Sequence, residues 1–107
     1  LWFTAVPDAG GAPGAPIGVA VKARSYHQMD VFWSDTAHNE TGFEIERKVD
    51  GGAFVRVATV GPNVESYTDG ALAQATFYTY RVRAIGAEGA STYSAEGRTF
   101  TKGINLS

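Results

Sequence analysis

Cysteine is absent from the chain, which excludes a disulfide framework, a thiol nucleophile and thiolate-bound zinc. The absence does not decide the compartment, because a domain of 107 residues can bury enough surface to stand without cross-links. Positive charge is not in excess either. Nine Lys and Arg face 11 Asp and Glu, a formal net charge of -2, which argues against nucleic acid and anionic lipid as partners. No run approaches the ~18 apolar residues a membrane span requires. The first residues also lack the basic start and apolar stretch of a signal peptide. Helical periodicity is missing too: no stretch of a dozen residues places apolar side chains at three-and-four spacing.

What is present is strand-forming. Seven short runs of alternating or β-branched character cover residues 19–23, 29–33, 43–49, 54–60, 64–68, 77–85 and 92–100. Between them stand turn-forming clusters such as Asp50-Gly51-Gly52, Gly61-Pro62-Asn63 and Asp69-Gly70. Seven strands at intervals of roughly 8 to 12 residues predict an all-β sandwich. The period of two assigns the faces. Met29, Val31 and Trp33 point inward, with Asp30 and Ser34 outward. Tyr78, Tyr80, Val82 and Ala84 point inward, with Thr79, Arg81 and Arg83 outward. Phe43 and Ile45 face the core behind an outward row of Glu44, Glu46 and Lys48. Val19, Val21, Phe54, Val60, Tyr67 and Leu72 complete the expected core. Upstream, residues 7–16 read PDAGGAPGAP, a composition that predicts an extended, poorly packed linker, with the fold starting near Pro16.

Several residue sets resemble the fibronectin type III family in order and spacing. They are Pro16 with Val19; Met29-Asp-Val-Phe-Trp33-Ser-Asp35; Asn39-Glu-Thr-Gly-Phe43-Glu-Ile45-Glu-Arg47; Tyr67-Thr-Asp69; Leu72; Thr76-Phe-Tyr78-Thr-Tyr80-Arg-Val-Arg-Ala84; and Gly89-Ala-Ser91-x-x-Ser94. The bacterial forms of the module are the most similar. The resemblance implies a seven-stranded antiparallel Greek-key sandwich, immunoglobulin-like, of three plus four strands. In it Trp33 fills the centre, and Tyr78, six residues after Leu72, ties down a neighbouring loop through its hydroxyl. It divides the chain into an arm or linker at 1–12, a sandwich at 13–101 and a tail at 102–107. Trp33, Leu72, Tyr78 and Tyr80 are the structural core it implies. No Arg-Gly-Asp tripeptide occurs, so integrin binding does not carry over.

No catalytic constellation converges. Glu44 and Glu46 lie about 6.5 to 7 Å apart on one strand face, a separation compatible with paired catalytic carboxylates, but an open face opposite Arg81 and Arg83 predicts charge pairing instead. His27 and His38 fall in separate loops and do not predict a metal site. Neither a cofactor nor an enzyme is expected, and no Gly-x-Ser-x-Gly elbow exists. Asn39-Glu-Thr41 and Asn105-Leu-Ser107 fit the glycosylation sequon, read as chance matches in a bacterial-type sequence. Tyr26, Phe32, Phe77 and Tyr93 are candidates for an exposed aromatic contact surface. Leu1, Trp2, Phe3 and Val6 belong to a six-residue run of high β-propensity outside the resemblance, a candidate docking strand for a partner.

The resemblance implies a non-catalytic spacer and protein-interaction module of an extracellular, secreted or surface protein, its partners being neighbouring domains or subunits. The alternatives are a structural subunit of an assembled particle or filament, with residues 1–6 as its arm, and a carbohydrate-binding accessory module whose partner is a polysaccharide.

Overall fold

The computed structural model describes residues 11–103; Leu1, Trp2, Phe3, Val6 and the Asn105 sequon lie outside them. Eight strands are present: β1 (Ile17–Ala23), β2 (Met29–Ser34), β3 (Gly42–Val49), β4 (Val55–Val60), β5 (Ser66–Asp69), β6 (Phe77–Gly86), β7 (Gly89–Ala90) and β8 (Gly97–Phe100). The described residues contain no helix, so none is long and apolar enough to cross a membrane. One sheet is ordered β1-β2-β5 and the other β4-β3-β6, with β7 and β8 both on the free side of β6. All pairings are antiparallel.

Of the run at 92–100, expected as one strand, only Gly97–Phe100 forms one; β7 precedes the run, and serine chemistry explains the gap between β7 and β8. The backbone N–H groups of Ser91 and Ser94 donate to the carbonyls of Ala84 and Val82, each at 2.8 Å. Their hydroxyls in turn accept from the N–H groups of Ala84 (2.9 Å) and Val82 (3.0 Å). Side-chain oxygens therefore stand in for the backbone carbonyls of a regular ladder. Counted as one interrupted edge, β7 and β8 give the three-plus-four architecture.

The core lies between the sheets where the alternation places it. Met29, Val31, Trp33, Phe43, Ile45, Leu72, Tyr78, Tyr80, Val82 and Ala84 are buried, and Val19, Val21, Val60 and Tyr67 pack against them. Each large side chain contributes about 1.5 to 3 kcal/mol when fully buried. The rings of Trp33 and Phe43 meet at 5.7 Å, tilted by 54°. The Tyr78 hydroxyl accepts the N–H of Ala73 at 2.9 Å, which fastens the β5–β6 connection as expected.

Two side chains depart from their expected positions. Phe54 is not in the core. It is half-buried on the outer face of the larger sheet beside Arg81 and Lys48. It lies two residues before Arg56, and a register shift between Ile45 and Glu46 turns that side of β4 outward. Thr79 alternates outward as expected, yet is only 3% exposed. Its direct neighbours across the sheet are Lys48 and Arg98, whose long stems can cover it.

The described part of the Pro-rich stretch, residues 11–16, forms no strand or helix, but it is docked, and not poorly packed as its composition predicts. Pro13 and Pro16 are buried, the Gly11 carbonyl accepts from Asn39 Nδ2 at 2.9 Å, and the Ala15 carbonyl accepts from Thr36 Oγ1 at 2.8 Å. A Pro ring has little conformational freedom to lose, so packing two of them is inexpensive.

Candidate functional site: the outer face of the larger sheet

The register of β3 on β6 sets Glu44 opposite Arg83 and Glu46 opposite Arg81. Each carboxylate gathers two donors. Glu44 accepts from Arg83 Nε (2.7 Å) and Arg56 Nη1 (2.8 Å). Glu46 accepts from Arg81 Nε (2.8 Å) and from the Tyr93 hydroxyl (2.8 Å). Burial pushes the Glu46 carboxyl up, but the hydrogen bonds from Tyr93 and Arg81 and the charges of Arg81 and Arg83 outweigh it and hold the group below its usual range. Burial and the bond to Glu46 raise the Tyr93 phenol. The hydrogen bond to Glu44 raises Arg83 further. This is the charge pairing that alternation predicts, and the depressed Glu46 carboxyl is the opposite of the protonated group a general acid needs.

Aromatic rings order the same face. The Arg81 guanidinium lies 4.0 Å from the Phe54 ring centre and 3.7 Å from that of Tyr93, so one ring covers each of its planes. Arg83 stands 4.8 Å from Tyr93, and the Lys48 ammonium 5.0 Å from Phe54. Cation and ring alternate in a ladder from Lys48 to Arg83. Sequence reading paired the charges but missed the ladder, because Phe54 and Tyr93 reach the face only through the shifted register of β4 and the interrupted edge between β7 and β8.

The four candidate contact aromatics do not share a surface. Phe32 is exposed on the outer face of the smaller sheet, Tyr26 in the β1–β2 loop, and Tyr93 on the opposite sheet within the ladder. Phe77 is half-buried against Phe100, with ring centres 4.8 Å apart. The β1–β2 loop also borders an open hollow of about 450 Å³ lined by Arg24, Ser25, Tyr26, His27 and Lys102. His27 Nδ1 lies 2.8 Å from the Leu72 carbonyl, an acceptor only, so this nitrogen carries the proton. His38 is in the β2–β3 connection at the other end of the sandwich, so the two histidines do not converge. Asn39 is engaged by its amide to Gly11.

Inside, Tyr80 donates its hydroxyl to Asp69 Oδ2 at 2.7 Å, and Arg47 Nη1 donates to the same oxygen at 2.8 Å. Burial and the Asp69 carboxylate push the Tyr80 phenol far above its ordinary range. The Glu40 carboxylate, buried in the β2–β3 connection, accepts the N–H of Asn63 at 3.0 Å. These three acceptor roles were not legible beforehand, since each depends on a partner distant in the chain.

No protein-family model matches the chain, and no curated protein does. Solved structures do. A crystal structure of domains A168–A170 from titin superposes with a TM-score of 0.76 at 27% identity, covering 85% of this chain and 32% of that one. An Fn3-like protein from Clostridium thermocellum gives 0.70 at 25% identity, covering 91% and 99%. The FN1–FN3 domains of chicken CNTN1 give 0.76 at 26% identity, covering 86% and 33%. The superpositions cover most of the chain, so the two-sheet sandwich is an architecture it shares with these neighbours. The chain has the fibronectin type III fold. It spans about a third of that titin structure, 18% of a structure of titin kinase with its flanking domains and 13% of a β-1,2-glucanase from Parabacteroides distasonis, in each case one part of a longer chain.

Proposed function

We propose that this fibronectin type III module is a non-catalytic spacer and protein-interaction domain of an extracellular or surface multidomain protein. The observation that supports it is the path of the chain. Gly11 is bonded to Asn39 beside the β2–β3 connection, and Pro13 approaches Gly86 at the end of β6. Lys102 is bonded to Ser25 and Ala75 in the β1–β2 and β5–β6 connections. The chain thus comes in at one end of the sandwich and goes out at the other, the arrangement a rigid spacer requires. A sheet face committed to ion pairs, with no concave site formed by it, accords with a role that needs no chemistry.

The test places the whole chain between a donor and an acceptor fluorescent protein and compares energy transfer with a flexible Gly/Ser linker of equal length. A spacer gives a single narrow distance distribution. A distribution as broad as the linker's would overturn the reading. The arm-mediated subunit reading is tested separately by light scattering on the whole chain and on a version starting at Ala12. Assembly of the first and not the second would put that reading in front.

A further inference from the structure

The molecule carries a formal net charge of -2, yet its charges are sorted by face. Within the paired strands of the larger sheet Lys48, Arg56, Arg81, Arg83 and Arg98 alternate outward with Glu44 and Glu46, five cations to two acids, and Asp50 and Glu96 follow just beyond the ends of β3 and β8. Glu44 and Glu46 lie beneath their partners, with side chains 11% and 14% exposed, while the Arg56 side chain is 58% exposed. Lys48 and Arg98 form no ion pair among the described residues. The surplus is held in place: ring contacts and carboxylates fix Arg81 and Arg83, so little side-chain entropy remains to be lost on binding. The cations stand in rows about 7 Å apart along the strands and about 5 Å apart between them.

We infer that the outer face of the larger sheet is a docking surface for an acidic polysaccharide, recognised through its carboxylate or sulfate groups. Charge complementarity selects an anion, and three further features select the class. The face is built of strands, and the described residues contain no helix that could enter a duplex groove. Arg81 covers a face of both rings that an unpaired base would need for stacking. The centre of the face lacks the apolar anchor that a protein partner would fill, since Val49, Val55 and Phe100 stand at its edges and Ile17 and Phe32 on the other sheet. What remains is an array of guanidinium edges and an ammonium at regular spacing, suited to a linear polymer with repeated anionic groups. This docking is independent of the spacer reading and of any stacking by Tyr26 or Phe32.

The experiment is affinity electrophoresis of the whole chain in gels containing polygalacturonate, dextran sulfate or neutral dextran, followed by calorimetric titration at 50 and 200 mM salt. Retardation in polygalacturonate assigns carboxylate, in dextran sulfate sulfate, and in both a general anionic polymer. Neutral dextran should have no effect, and affinity should fall as salt rises. The double variant Lys48→Glu/Arg98→Glu should weaken binding roughly tenfold or more. Lys22→Glu/Lys102→Glu changes net charge equally off this face and should stay within about twofold of the parent. Unchanged far-UV dichroism and melting temperature establish that the variants fold; should the first fail, Arg98→Gln replaces it. Absence of retardation in both anionic gels would sink the inference, as would equal losses in the two double variants. Tighter binding of a single-stranded oligonucleotide than of either polymer would reassign the face to nucleic acid and equally overturn it.

Discussion

Asp69 shows how much one residue can decide. It is 4% exposed and receives both the Tyr80 hydroxyl and the Arg47 guanidinium. Asp69→Asn would remove the charge that compensates a half-buried Arg47 and is expected to cost about 2 to 4 kcal/mol in a urea titration. Tyr78→Phe removes a single acceptor from the Ala73 N–H and is expected to cost about 1 to 2 kcal/mol. The two phenolic and carboxylic shifts have opposite consequences for pH. Glu46 is depressed in the folded chain, so its contribution is complete above the unfolded carboxyl value and is lost as pH falls through the lower folded one. Glu46→Gln should therefore flatten the acid limb of stability against pH, measured by melting temperature between pH 5 and 2. Tyr80 is raised, so folding is favoured while the phenol is protonated, and stability declines as pH climbs from the unfolded phenol value near ~10. Absorbance titration of the native chain should leave Tyr80 un-ionised at pH 11, and Tyr80→Phe should remove that part of the alkaline decline.

Among the elements, the broken edge beside β6 is the most exposed to substitution. Ser94→Ala would leave the buried Val82 N–H without its acceptor, and Ser91→Ala would do the same for Ala84. Each is expected to cost about 1 to 3 kcal/mol and to speed hydrogen exchange at Val82 or Ala84 respectively, with little change at the β3 amides. Strand β3 meets a different constraint at its start. A Cβ on Gly42 would sit 2.3 Å from the Val60 carbonyl oxygen, closer than atoms can approach. Gly42→Ala must push β4 away, and a loss of about 1 to 3 kcal/mol of unfolding free energy in a urea titration is the expected result. The existence of every strand but the two-residue β7 followed from alternation, because a side chain's face is a local property. Strand ends were less legible: Val64 and Phe54 read as strand residues, whereas β5 begins at Ser66 and β4 at Val55. Turns and bulges are set by the partner strand as much as by the residues in them.

For the whole molecule, net charge turned out to be a poor guide to charge at any one place. The acids gather beside the β2–β3 connection, where Asp35, Glu40 and Glu65 stand close enough for Glu65 to accept the Asp35 N–H at 2.7 Å. Burial and the neighbouring carboxyl of Glu40 raise Asp35, against the hydrogen bond from Ala37 that lowers it. The cations gather on one sheet face. Such sorting predicts that association with an anionic polymer persists at neutral pH despite a formal net charge of -2, and that it weakens steeply with salt.

Amino-acid order alone determined the class of fold, the identity of the core and the pairing of Glu44 and Glu46 with Arg81 and Arg83, since hydrophobic alternation and turn chemistry act over a few neighbouring residues. The tertiary structure decided the rest. It turned Phe54 outward through a bulge and brought Tyr93 over Arg81 from an interrupted edge. It also joined Arg47, Asp69 and Tyr80 from three strands and collected five cations on one face. Those arrangements depend on which strands lie side by side and in what register, and a contact between residues 11 to 47 positions apart leaves no mark in the local pattern of either.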